Sequence, residues 1–180
     1  MKRAFVYLGM TLLVALIVWA FERPDRTPRG DTQEEAFFPD FDANTIESIE
    51  GIQLSQGVQL ERDGDSWKVA PRGTSDWNPA DSNRVKQVLG IFGDLSRGLL
   101  VSSNREKQSL YHVGEEGLTI RLIDRAGKER VGMIIGKNSP DLLGTYVRHS
   151  GEDDVYLVDR ALTGLFSISA DDWKQSPPKN

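Results

Sequence analysis

No cysteine occurs anywhere in the chain. That absence excludes disulfide frameworks, thiolate metal centres, c-type haem attachment and a lipidated N-terminal cysteine together. Histidine is almost missing as well, with His112 and His149 the only two. A metal site would need both to converge with carboxylates such as Glu115 or Asp153, and no ligand-spaced motif supports that. Both therefore read as surface histidines, and neither a metal nor another cofactor is expected. Positive charge is in deficit, with 22 Lys and Arg against 27 Asp and Glu. All the acidic residues lie beyond Phe21, whereas Lys2 and Arg3 precede it. A nucleic-acid or anionic-lipid surface needs a basic face, so no nucleic-acid partner is expected and the acidic surplus reads as a solvated surface.

Charge vanishes altogether from one stretch, Ala4 to Phe21, AFVYLGMTLLVALIVWAF. As a helix this run would span about 27 Å, close to the hydrocarbon thickness of a bilayer. Trp19 and Phe21 at its end suit the membrane–water interface. A cleavable signal peptide has the same basic start and apolar middle, but cleavage needs small residues at the end of the run. Bulky Trp19 and Phe21 flank Ala20 there, which favours an uncleaved anchor contacting the bilayer through residues 4–21. Arg23, Arg26 and Arg29 follow closely on the C-terminal side, so the lysine and arginine count by itself does not place the N-terminus in the cytoplasm.

The rest divides into a tether and docking segment over residues 22–41, one exterior α+β domain over 42–173 and a frayed tail over 174–180. Glu22 to Glu35 is rich in charge, proline and glycine and has no large apolar side chain to bury. Phe37, Phe38 and Phe41 around Pro39 are expected to dock onto the domain, the alternative being contact with membrane or partner. From Thr45 to Ala70 the apolar period is two: Ile52 and Leu54, Val58 and Leu60, Trp67 and Val69. Turn signals at Ser55-Gln56-Gly57 and Asp63-Gly64 make these three antiparallel strands.

Asn78-Pro79-Ala80-Asp81 reads as a helix start, with Asn78 as N-cap and Pro79 in the first helical position. Val85, Val88, Leu89, Phe92 and Leu95 follow at helical spacing as a core stripe, and Gly98 ends the helix. Leu99 to Ser103 is expected as a short buried strand, and Arg105 to His112 as one or two helical turns. Leu118–Asp124 with Arg130–Ile135, and Thr145–His149 with Val155–Val158, form hairpins. Asp159 is expected to cap a last helix carrying Leu162, Leu165 and Phe166, and Ser169 with Asp172 to form a capping box. Each half thus runs from hairpins into a helix, a possible internal pseudo-repeat.

No stretch carries a recognisable catalytic constellation. Gly132 to Ser139 has only three residues between its glycines, Asn138 where a phosphate loop needs a hydroxyl, and Pro140 where a helix should follow. It reads as a strand ending in a turn. Asp171 and Asp172 are adjacent acids, but capping explains Asp172. No serine sits in a Gly-x-Ser-x-Gly elbow. No catalytic, cofactor-binding or metal-binding residues are assigned.

The order of segments carries a resemblance. It runs through Asp65-Ser66-Trp67-Lys68-Val69, Pro79-Ala80-Asp81, Leu118-Thr119-Ile120-Arg121-Leu122, Gly136-Lys137 to Ser139-Pro140, Gly144-Thr145-Tyr146-Val147-Arg148 and Val155-Tyr156-Leu157-Val158-Asp159. This resembles the bacterial family called domain of unknown function 4340, over roughly Asp42 to Trp173. The chain departs from the family pattern at Leu110-Tyr111-His112-Val113-Gly114, where a proline is missing. The resemblance implies a single-pass, membrane-anchored domain facing the periplasm or exterior of the bacterial inner membrane, beside ABC-type transport components of the gliding-motility type. It supplies no catalytic residue. The expected function is a non-catalytic accessory or scaffold subunit that binds a membrane protein complex. The alternative is an exterior enzyme or ligand-binding protein. An exposed apolar patch would favour the first, a deep pocket of convergent titratable groups the second.

Overall fold

A computed structural model describes residues 35–176. The anchor expected at residues 4–21, most of the tether and residues 177–180 lie outside that range. Among the described residues no helix is long and apolar enough to cross a membrane.

The described chain is mostly antiparallel sheet with a few helical elements packed on it. The strands are β1 (Ile46–Gln53), β2 (Gln56–Asp63), β3 (Ser66–Pro71), β4 (Asn78–Pro79), β5 (Leu99–Ser102), β6 (Leu118–Asp124), β7 (Glu129–Asn138), β8 (Thr145–His149) and β9 (Val155–Val158). The α-helix α1 covers Ser82–Gly93, and 3-10 helices cover Ala43–Thr45, Arg105–Tyr111 and Ala170–Trp173. All nine strands join one sheet in the order β4-β3-β2-β1-β6-β7-β8-β9-β5. Two meanders, β1 to β4 and β6 to β9, run outward from a central β1/β6 pair that sets Ile49 beside Leu122 and Gly51 beside Ile120.

Alternation along each strand separates two faces. One face buries Ile49, Leu60, Val69, Ile120, Leu122, Met133 and Val147 beneath the α1 stripe of Val85, Val88, Leu89 and Phe92. Each such side chain contributes about 1.5–3 kcal/mol by leaving water. The segment after β9 completes the cover with Leu162, Phe166 and Trp173. Phe166 reaches the sheet because Gly51 has no side chain: a Cβ there would stand 2.1 Å from the Phe166 ring. On the other face, Arg121 bridges Glu50 at 3.2 Å and Glu129 at 2.7 Å, which raises its pKa through the Glu129 hydrogen bond first. Towards β7 to β9 that face gains a second small core of Val113, Ile134 and Val155 beneath the Arg105–Tyr111 helix.

The three strands and both hairpins form, and Phe37 and Phe38 are buried. The first hairpin, however, turns at Leu54-Ser55 rather than at Ser55-Gln56-Gly57, so Leu54 is 74% exposed and β1 buries Ile46 and Ile49 in place of Ile52 and Leu54. Several expectations need correction. Asn78 and Pro79 form a strand on β3, so Asp81 is the N-cap, accepting from Asn83 N at 2.9 Å and Arg84 N at 3.3 Å. The backbone explains it: Ala80 N donates to Trp67 O and Asp81 N to Trp173 O, so the helix begins only after those donors are used. α1 also ends earlier, at Asp94, and Gly98 instead turns the chain into β5 with φ 69°.

Leu99–Ser102 is an edge strand rather than a buried one. The helix expected around Leu162 to Phe166 is absent, because Thr145 Oγ1 ties down both Leu162 N and Arg160 O, and Gly164 adopts φ 88°. Ser169 makes no side-chain cap; Asp172 accepts from Ser167 Oγ instead, at 2.5 Å. The expected tail is held at its start, since Lys174 bridges to Ala80 and Gln175 N donates to Pro79 O at 3.0 Å.

Candidate docking surface

The two ends of the sheet differ in how they are guarded. At one end β4 is two residues long, contains Pro79, and is bordered by the Ala80–Lys174 bridge. Short length and proline are ordinary defences of an exposed edge. At the other end β5 reads Leu99-Leu100-Val101-Ser102, with neither charge nor proline. It pairs on one side with β9, and its outer side pairs with no other described strand. Such an edge offers a row of backbone donors and acceptors to an incoming strand.

Apolar side chains gather beside it. The register sets Leu99 beside Leu157 and Leu157 beside Tyr146, which places the three on one face. Tyr146 meets the ring of Tyr111 at 4.9 Å, and Leu110 precedes Tyr111 at the end of the 3-10 helix. Leu157 also reaches the β7–β8 loop, where a Cβ on Gly144 would be 2.9 Å from its Cδ1. Leu99, Leu110, Leu142 and Leu143 are 50, 60, 67 and 68% exposed. Each forgoes half or more of the ~1.5–3 kcal/mol that full burial of a leucine contributes.

The loop holding Leu142 and Leu143 is closed from within. Ser139 N donates to Gly144 O and Gly144 N to Ser139 Oγ, both at 2.9 Å. Leu143 N donates to Asp141 Oδ1 at 3.1 Å, and the Ser139 hydroxyl donates to the same carboxylate. Those bonds, that from Ser139 first, hold the Asp141 pKa below the ordinary carboxylate value. Leu142 sits at φ 62°, a left-handed conformation costing about 1–2 kcal/mol for a residue with a Cβ. Two leucines are thus turned outward by a hydrogen-bonded loop.

Two arginines near this surface are committed to architecture. Arg148 Nε donates to Val113 O at 2.7 Å and its Nη1 to Glu152 O at 2.9 Å, and burial lowers its pKa. Arg97 pairs with Glu35 at 3.1 Å. His149, expected on the surface, is half-buried instead: it stacks on Phe37 at 4.3 Å and meets Phe38 edge-on at 5.1 Å. Burial pushes its pKa down, against a smaller upward pull from Glu152. The docking segment supplies the rings that enclose it.

The residues weighed in the sequence do not come together. His112 is exposed at φ 57°, at the end of the 3-10 helix. Asp153 accepts from Gln108 at 3.1 Å, and Asp171 pairs with Lys174 at 2.7 Å. Among the described residues no three His, Asp or Glu stand close enough to hold a metal. Gly132 to Ser139 is β7 and the turn after it. Gly136 allows close backbone contact, since a Cβ there would be 2.2 Å from Tyr111 O. One signal of the docking surface was present in the sequence: Leu142-Leu143 interrupts an otherwise polar turn between Pro140-Asp141 and Gly144.

The family described as Domain of unknown function (DUF4340) matches residues 74–177, more than half of the chain. The match begins at Thr74, later than the start at Asp42 expected from the order of segments, so β1 to β3 precede it. No curated protein and no solved structure matches the chain. The matched span takes in α1, the free β5 edge and the loop of Leu142 and Leu143, and on that match the chain belongs to the DUF4340 family.

Proposed function

We propose that the chain is a non-catalytic accessory subunit whose exterior domain docks onto a membrane protein complex through the β5 edge and its leucines. The observation that carries this is the contrast between the two ends of the sheet, one short and proline-guarded, the other apolar and unguarded. Monomeric surfaces seldom present clustered apolar side chains without a partner to cover them. In this reading residues 4–21 hold the domain at the bacterial inner membrane, facing the periplasm or exterior. The tether gives the domain reach: from residue 22 to 35 an extended chain spans at most about 45–50 Å. ABC-type transport components are the partner class to which the family resemblance points.

Tagged full-length chain, purified from membranes in mild detergent, should bring a membrane complex with it. Leu99→Lys combined with Leu143→Asp should lose that complex while keeping the wild-type melting temperature, because both side chains are exposed. Undiminished recovery by the double variant would remove the β5 surface from the proposal, and recovery of the chain alone in the wild type would remove the subunit reading.

A further inference from the structure

At the guarded end of the sheet, β4 and the loop before it frame an open cleft of about 450 Å³, a volume within the ~300–1,000 Å³ range of ligand sites. Its lining includes Trp77, Lys68, Asp63, Asn78, Asp81 and Gln175. Trp77 is the unusual member. Trp67 and Trp173 are buried in the main core, whereas Trp77 is half-exposed and belongs to neither apolar cluster.

The backbone that carries it is nonetheless fixed. Thr74 N donates to Pro71 O at 3.1 Å, Gln59 Nε2 to Thr74 O at 2.7 Å, Trp77 N to Ser75 O at 2.9 Å and Asn78 Nδ2 to Asp76 O at 2.9 Å. The other wall is equally tied, by Asp81 N on Trp173 O at 2.7 Å and Gln175 N on Pro79 O at 3.0 Å. An indole held half in solvent by a pinned loop is a preorganised platform, and preorganisation lowers the cost of binding.

The surrounding charges narrow the ligand. The Lys68 ammonium lies over one face of the Trp77 ring, 4.6 Å from its centroid and 3.0 Å from Glu61, and its charge repels a second cation from the indole. Asp63 and Asp81 oppose an anion. What remains is a neutral molecule with a flat apolar patch and many hydroxyls, for which carboxylates and amides serve as acceptors and donors. A sugar ring has that form: aliphatic C–H groups on one face and hydroxyls around its rim. We propose that the Trp77 cleft binds a neutral oligosaccharide, one sugar ring lying on the part of the indole that Lys68 does not cover and its hydroxyls bonding to Asp63, Asn78 and Gln175. This site lies at the opposite end of the sheet from β5 and does not depend on the docking reading.

The test uses the full chain, solubilised without any sugar-headed detergent, titrated with N-acetylglucosamine tetramer, cellotetraose and maltotetraose by calorimetry and tryptophan fluorescence. At least one should bind saturably with a Kd of about 1 mM or tighter. Trp77→Ala should weaken that binding about tenfold or more, and Trp77→Phe, which keeps a ring, should weaken it less. Asp63→Ala provides an independent arm that leaves the indole in place and should also weaken binding. The proposal is overturned if none of the three sugars binds up to about 10 mM. Sugar binding indifferent to Trp77→Ala or to Asp63→Ala, or Trp77-dependent binding of tetralysine in place of the sugars, overturns it equally.

Discussion

The imidazole of His149 lies parallel to the ring of Phe37, 4.3 Å away and tilted by 17°. Phe37 belongs to the segment entering the domain and His149 to the end of β8, so the contact fastens the chain's entry to the sheet. Burial is the main cause that lowers the His149 pKa. The folded state therefore favours neutral imidazole. Its contribution to stability is complete above the ordinary histidine value of about 6.5 and declines as pH falls from there towards the lowered native value. Urea unfolding at pH 7.5 and 5.5 should show a larger loss for wild type than for His149→Phe, which keeps a ring but has no proton to take up. An equal loss in both would contradict the assignment.

Gly51 and Phe166 make a contact that no larger residue at position 51 can share. Gly51→Ala would set a Cβ 2.1 Å from the Phe166 ring, and overpacking of this kind costs about 1–3 kcal/mol. Adding Phe166→Leu should recover part of the loss, making the pair non-additive in chemical denaturation. Additive losses would mean that the ring does not oppose the glycine.

Trp67 is buried in the core with the Arg62 guanidinium 4.8 Å from its ring, and its carbonyl accepts from Ala80 N at 2.8 Å. Trp67→Ala should destabilise by roughly 3–5 kcal/mol, whereas Trp77→Ala should leave the melting temperature close to wild type. Comparable losses at both positions would contradict the distinction between core and cleft tryptophan.

The N-terminal run should be retained in the mature protein, because Trp19 and Phe21 obstruct a cleavage site of small residues. Intact mass of chain purified from membranes should include residues 1–21. A mature species beginning just after Ala20 would refute the uncleaved anchor.

Local chemistry made much of the sheet legible. Asp63-Gly64 and Ser150-Gly151 mark turns because glycine takes positive φ without cost, and the period-two runs around them have only one way to bury their apolar side. The core stripe of α1 was legible for the same reason at a period of 3.6. Misreadings occurred where one residue's hydrogen bonds go to a distant partner. Asn78-Pro79 has the chemistry of a helix start, but Trp67 and Trp173 accept the donors of Ala80 and Asp81. Leu162 to Phe166 has helical spacing, but Thr145 takes the Leu162 amide.

The sequence by itself determined the charge balance, the apolar run, the hairpins and the absence of any thiol chemistry, since each depends on residue type and near neighbours. Only the tertiary structure decided which strand became an edge. Leu99-Leu100-Val101 reads like buried β, and whether it has one neighbour or two depends on strands far along the chain. It also decided that Trp67 entered the core while Trp77 stayed at a cleft, because burial depends on what a fold brings to lie over a side chain, and that covering comes from residues distant in sequence.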